Sequence, residues 1–263
     1  MVGRRHKSSR RLAASHQRSW LWGRHAVLET LAAGRWTPLE VRVAAELDLE
    51  SRDVVAQGCA QLDVPIEIHP HDQLTRWCGT GEHQGLLALM PAYQYLTIEE
   101  ALAGLPATPL ILILDRIQDP HNFGAILRSA DVFGVDMVFV AQTEQANVTP
   151  HVARSSAGGV NHVPLCQVET LSDLPRLLWE RHRITTCAAV GGSSTSVMAA
   201  DLRRPTAIVI GNEGSGVSDE LRAACGGQIS IPQQGHVESL NAAVAAGILL
   251  YEARRQRGHG AVS

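Results

Sequence analysis

An α/β fold with a parallel sheet is predicted by two alternations in the sequence. From residue 109 onward, short β-branched runs near 110–114, 137–141, 162–168, 184–190, 207–211 and 228–232 alternate with stretches of helical periodicity. That order is the pattern of a parallel sheet covered on both faces. Ahead of it, a shorter αβαβ-type pattern of about seventy residues marks a separate small unit.

Composition narrows the classes. The chain of 263 residues is 45% apolar, enough for a buried core in one large domain or two small ones. No apolar run approaches the ~20 residues of a membrane span, and no signal-peptide apolar region is visible, so a cytoplasmic protein is expected. Cys59, Cys78, Cys166, Cys187 and Cys225 are scattered without a C-x-x-C spacing. They predict neither a disulfide framework nor a zinc site. Charge is uneven: Arg4, Arg5, Lys7, Arg10, Arg11, Arg18 and Arg24 precede any acid, leaving 16 basic against 26 acidic residues, a net of −10, in the remainder. Lys7 is the only lysine and lies in the basic tail. P-loop, kinase and pyridoxal-phosphate chemistries each need a lysine held by a folded core, so all three are excluded.

In chain order, residues 1–19 are basic and Ser-rich and are expected to be disordered. Such a tail serves RNA phosphate, solubility or organelle addressing equally well. Residues 25–33 read as a helix ending at Gly34, and Leu39, Val41 and Val43 alternate as a strand. A helix over 50–63 and strands over 65–68 and 86–90 complete a domain spanning 20–92. Residues 93–108, rich in Ala, Pro and Gly, read as a linker. The second domain spans 109–258, with helices near 122–133, 149–157, 171–182, 217–225 and 239–257, and 259–263 form a tail.

Three loops stand out. After the strand 110–114, Asp119 suits a helix cap and Pro120 a first helical turn. Asn122 then sits at the loop–helix junction, with Arg128 six residues on. Polar residues at the carboxyl end of a parallel strand lie where open α/β sheets bind ligands. By spacing alone, Asn122 serves equally as a cap and Arg128 as a solvated helix residue. The strand 207–211 runs into Gly211-Asn212-Glu213-Gly214-Ser215-Gly216, where glycine lets a ligand approach bare backbone. Its order is G-x-x-G-x-G, not the dinucleotide-binding G-x-G-x-x-G. Glu213 alone reads as a solvated turn acid. Finally, Ile229-Ser230-Ile231-Pro232 closes a strand, and Ser239-Leu240-Asn241 opens an Ala-rich helix, with Ser239 a candidate helix cap. The small residues of that helix suit close packing against another helix of this chain or of a partner chain.

Taken together, D-P-H-N-F-G-A-I-L-R-S-A, I-G-N-E-G-S-G-V and I-S-I-P … E-S-L-N-A-A-V-A resemble the three motifs of the SpoU family of RNA ribose 2′-O-methyltransferases. The resemblance covers nearly all of 109–257. Residues 20–92 are similar to the L30e-like RNA-binding domain of one branch, the 23S rRNA guanosine-2′-O-methyltransferases. Gly23-Arg24-His25-Ala26-Val27 and His83-Gln84-Gly85 match that branch's G-x-H-A-V and H-Q-G. The resemblance implies a trefoil-knot (SPOUT) methyltransferase domain that binds S-adenosylmethionine, and a homodimer in which the arginine of the first motif approaches the other subunit's cofactor. Gly211, Ile231 and Leu240 match cofactor contacts. Asn122, Arg128, Glu213, Ser239 and Asn241 match the catalytic and RNA-facing set. It implies rRNA as substrate, with tRNA as the alternative among enzymes. A non-catalytic RNA-binding assembly factor on the same domains is the rival from another class. Many relatives carry a small hydroxyl residue where Glu238 stands, and some have Ser or Thr at Ala243. No metal is needed, and His69, His71, His121 and His236 form no recognisable ligand set.

Overall fold

The buried apolar runs become strands of two separate sheets. The computed structural model describes residues 19–237 and 239–258; the basic tail up to residue 18, Glu238 and residues 259–263 lie outside the described residues. Packing divides the chain into two compact units, one of residues up to Gln94 together with Val148–His162, the other of Tyr95–Asn147 and Val163 onward.

In the first unit, β1 (Trp20–Trp22), β2 (Glu40–Ala44), β3 (Ile66–His69) and β4 (Leu86–Leu89) form a sheet ordered β1-β4-β2-β3. Helix α1 (Arg24–Ala33) stops at Gly34, whose φ of 64° is the left-handed conformation that glycine adopts without strain. Helix α2 (Leu49–Leu62) starts at Asp48, whose carboxylate accepts from the Ser51 amide at 2.9 Å. Helix α3 (His71–Cys78), short and mostly polar, and the three-residue β1 do not stand out in the sequence. The two signature stretches of this unit meet: the Gln84 side-chain oxygen accepts from the Arg24 amide at 2.9 Å.

His83 explains the second signature. Its ring is fully buried; Nδ1 accepts from the Gly85 amide at 3.0 Å, which leaves Nε2 to carry the proton towards Thr75 Oγ1, also at 3.0 Å. Burial, and secondarily the neighbouring His71, holds the imidazole below the ordinary histidine value of 6.5. The unfolded chain therefore takes up this proton first as pH falls. The stability due to neutral His83 is complete above about pH 6.5 and is lost as pH drops towards the lower folded-state value. Thermal melts from pH 8 to 5 should show that loss, and His83→Gln should flatten it. An equal acid dependence in the variant would remove His83 as its source.

The second unit begins with α4 (Ile98–Ala103), inside the stretch read as a linker. Thr97 and Glu100 close a reciprocal capping box at its start. Strands β5 (Leu110–Asp115), β6 (Met137–Ala141), β7 (Leu165–Val168), β8 (Thr185–Ala189), β9 (Thr206–Gly211) and β10 (Gly227–Ile229) pair in the order β10-β8-β9-β5-β6-β7. Every pairing is parallel, as the alternation predicts. From β5 the chain moves outwards through β6 to β7, then returns to build β8, β9 and β10 on the other side. The order therefore switches between β5 and β9, where such sheets open a crevice at their carboxyl ends.

Helix α5 (Pro120–Val132) begins as expected: Asp119 Oδ1 accepts from the His121 amide at 3.0 Å, and Pro120 occupies the first turn. Helix α6 (Pro150–Ser155) belongs to the first unit, where the Arg154 guanidinium lies 3.1 Å from the Trp22 ring centroid and Asn161 donates to Thr30 Oγ1 at 3.2 Å. Helices α7 (Leu174–His182) and α8 (Asp219–Ala224) follow in the second unit. The last helix, α9 (Ala242–Gln256), starts three residues later than its periodicity predicts because Asn241, rather than Ser239, caps it. It packs on α5 of the same chain, with Ala246, Leu249, Leu250 and Ala253 buried.

Candidate functional site

Strands β5 and β9 set the site. Their register pairs Asp115 with Gly211, so the loops that leave both strands emerge side by side at the switch point. Asp115 is 4% exposed, and its Oδ2 accepts from the Ser218 amide at 2.6 Å. Arg116 donates to Asp115 Oδ1 at 3.1 Å and to the Gly216 carbonyl at 3.1 Å. In the opposite direction, Asn212 Nδ2 donates to the Arg116 carbonyl at 3.0 Å. Asn212 also organises its own loop: Oδ1 accepts from the Gly214 amide at 2.8 Å, and its carbonyl accepts from the Gly216 amide at 2.8 Å. This turn folds residues 216–217 back over Gly211, which has no side chain to obstruct them.

A second network joins three of the residues singled out in sequence. An ionised Glu213 can only accept hydrogen bonds. Asn122 therefore turns Nδ2 to it, and Asn122 Oδ1 accepts from Asn241 Nδ2 at 2.9 Å. The remaining Asn241 oxygen caps α9, accepting from the Ala243 amide at 2.9 Å and the Val244 amide at 3.3 Å. Both amide orientations are thus set by a helix cap at one end and a carboxylate at the other. Asn241 thus takes the cap expected of Ser239, and Asn122, which lies inside a helix capped by Asp119, instead bridges the second and third loops.

Beside this chain lies a cavity of ≈ 320 Å³ lined by Val190, Gly211, Glu213, Ile231, Ser239 and Leu240 among others. That volume lies in the range of small-molecule pockets. Gly191, Gly211, Gly214 and Gly216 leave bare backbone on its wall, while Ile231, Leu240 and Ala245 supply apolar surface. This mixture suits a nucleoside-containing cofactor held largely by main-chain groups. The three expected cofactor contacts and Glu213 and Ser239 therefore share one cavity, with Asn122 and Asn241 bonded at its edge.

Arg128 is elsewhere. Six residues carry it about 240° round α5 and about 9 Å along it from Asn122, and its side chain is exposed. Asp115, Arg116 and Asn212 are residues that sequence reasoning passed over. A signal existed for the first, an acid closing an otherwise apolar buried strand, and for Asn212, a loop-favouring residue between Gly211 and Glu213. Among the described residues, no three His, Cys, Asp or Glu side chains cluster as a metal site, and no helix is long and apolar enough to cross a membrane.

Comparison with known proteins agrees with this arrangement. The chain is 34% identical over 240 residues to a Staphylococcus haemolyticus protein named for the TrmH family of tRNA/rRNA methyltransferases, covering 89% of this chain and 94% of that one. It is 38% identical to a tRNA/rRNA methyltransferase of Mycolicibacterium vanbaalenii, covering 89% and 76%. Among solved structures, the SpoU methyltransferase AviRb of Streptomyces viridochromogenes, in complex with the cofactor AdoMet, superposes with a TM-score of 0.77 at 26% identity over 97% of this chain and 95% of that one. A structure described as an RNA 2′-O ribose methyltransferase gives 0.71 at 29% identity, covering 97% of each chain. Residues 20–96 match the family described as RNA 2′-O ribose methyltransferase substrate binding. With residues 109–251 matching the SpoU rRNA methylase family across the strands, loops and cavity described above, the chain belongs to that family.

Proposed function

We propose that this protein transfers a methyl group from S-adenosylmethionine to the ribose 2′-oxygen of a guanosine in large-subunit rRNA, acting in the cytosol as a homodimer. The observation that carries the reading is the meeting of all three loop motifs at one cavity, with Asn122, Glu213 and Asn241 in one hydrogen-bonded chain. Gly211, Ile231 and Leu240 would hold the cofactor, which supplies an electrophilic methyl on its sulfonium. A ribose hydroxyl is a poor nucleophile near neutral pH, so this chain's residues must orient it and stabilise its developing negative charge. Asn122, Asn241 and Ser239 align the ribose, and Glu213 fixes Asn122. Arg128 grips the target phosphate and steadies the oxyanion; a guanidinium stays protonated, so it acts as a cation and not as a base, and the hydroxyl proton passes to phosphate or water as the sulfonium–methyl bond breaks.

A dimer is supported by an apolar surface beside the site. On α9, Val244, Ile248 and Tyr251 are 50%, 38% and 54% exposed, and on α5 Val132 is 68% exposed. Val132 lies one helical turn beyond Arg128, so a second copy covering this face would meet Arg128. We further propose that segment 227–256 threads the trefoil knot of such folds: α9 follows the sheet-edge strand β10, yet packs on the helix that follows central β5.

The test is site-resolved mapping of 2′-O-methylation on full-length rRNA and on tRNA incubated with the purified protein and S-adenosylmethionine. One ribose-methylated guanosine in large-subunit rRNA is expected. Methylation of tRNA alone would overturn the substrate, and methylation of a base would overturn the reaction.

A further inference from the structure

The second unit holds another cavity, at the amino ends of the strands. It measures ≈ 460 Å³ and is lined by Pro175, Arg176, Trp179, Ile184 and Thr186 with residues of the α8 end. Thr186 pairs with Ala207 in the β8–β9 register and shares a sheet face with Ala188, which packs in the core with Leu178 of α7 and Leu221 of α8. Its side chain therefore points between α7 and α8, into that core. Thr186 is 2% exposed and its hydroxyl is closed to the cavity, so the surface open to a ligand is that of Trp179, Arg176 and Pro175.

The rim is aromatic and cationic. Trp179 is 50% exposed, and the Arg183 guanidinium lies 5.3 Å from its ring centroid. Arg176, Arg181, His182 and Arg183 are all exposed on or just after α7, against one acid on that helix, Glu180, which pairs with Arg176 at 3.9 Å. This concentration of cations stands in a chain whose residues after the tail are net acidic. A π-face with flanking guanidinium groups supplies what an unpaired nucleotide needs: stacking and phosphate pairing.

We propose that this cavity takes an unpaired nucleobase of the RNA substrate, stacked on Trp179, with Arg176 and Arg183 on the adjoining phosphates. The inference rests on RNA being the substrate. β8 carries Thr186 near one end and Ala189, on the wall of the cofactor cavity, at the other. At about 3.3 Å per residue the two cavities are roughly 10–15 Å apart along the strand. The base held here is accordingly a neighbour of the methylated nucleotide, not the nucleotide itself.

The test uses the full chain and equilibrium binding of a fluorescent single-stranded oligoadenylate at fixed salt, without cofactor, alongside methylation kinetics on rRNA. Trp179→Ala should weaken oligoadenylate binding about tenfold. It should raise KM for rRNA while leaving kcat, S-adenosylmethionine affinity and the melting temperature unchanged. Trp179→Phe should retain most of the binding. Wild-type affinity in Trp179→Ala would overturn the stacking site. Normal RNA binding by an intact protein that methylates nothing would count against the proposed reaction and leave this site standing.

Discussion

Gly211→Ala is expected to abolish S-adenosylmethionine binding in a protein that still folds. A Cβ at residue 211 would sit 2.1 Å from the Gly216 carbonyl carbon and 2.2 Å from the Val217 nitrogen, and both obstacles are backbone. Neither side can yield cheaply. β9 is held in register with β5 along its whole length, and the returning loop is tied by Asn212, Arg116 and Asp115. Overpacking of this kind typically costs about 1–3 kcal/mol, here relieved by opening the loop over residues 212–217. That loop lines the cavity proposed for the cofactor, so opening it removes the backbone wall on which the cofactor would rest. Calorimetric titration should show at least about a hundredfold loss of affinity, about 2.7 kcal/mol, with a melting temperature lowered by only a few degrees. Cofactor affinity equal to wild type would mean that this loop is not the cofactor wall. Asn212→Ala should act in the same direction with a smaller effect, since it removes the loop's ties without adding a clash.

What the sequence made legible were features written locally. Residues 110–115 are buried throughout, and Asp119 and Pro120 start α5 where cap chemistry places them. Gly34 ends α1 for the same reason. All six parallel strands lie near the expected stretches, though β7 and β10 are shorter than those stretches and hold one β-branched residue each. Less legible were elements whose signal is short or ambiguous. α4 has a capping box at Thr97 and Glu100, but it is only six residues long and lies among Pro, Ala and Gly residues that read as a junction. Packing between distant residues was not legible at all. A boundary near residue 93 says nothing of where 148–162 packs, and it is Arg154 over Trp22, Asn161 on Thr30 and His162 beside Glu29 that hold this segment in the first unit. Truncation at residue 93 therefore strips partners from 148–162, and loss of activity in the shortened chain would not by itself assign specificity to the front domain. At the site, the resemblance to the family's three motifs pointed to Asn122, Glu213 and Asn241 but not to the order of their bonds. That order depends on Asn241 capping α9, whose start at Ala242 lies three residues beyond where apolar periodicity placed it.

Arg128 and Asn241 should complement each other only across the dimer. Arg128→Ala is expected to keep cofactor affinity, because residue 128 is turned away from the cavity wall, while methyl transfer falls by roughly two to three orders of magnitude, the usual loss on removing an oxyanion-stabilising donor. Arg128→Lys should not rescue it, since an ammonium lacks the planar fork that grips phosphate through two parallel bonds. Asn241→Ala should also be inactive: it severs the link to Asn122 and removes the α9 cap, at a stability cost of about 1 kcal/mol. If each site takes Asn241 from one chain and Arg128 from the other, a heterodimer of these two variants contains one site with both native residues and one with neither. Random pairing of equal amounts makes about half the dimers mixed, so about a quarter of wild-type activity should return. If both residues served the cavity of their own chain, every site in the mixture would lack one of them and no activity would return. Co-refolding the two inactive proteins, confirming dimers by size-exclusion chromatography and assaying methyl transfer separates the two arrangements. A fully active monomer would exclude the shared site. Val132, Val244, Ile248 and Tyr251 give the same question a second readout, because a charge introduced at Ile248 should split the dimer and silence both sites without touching a residue of either cavity.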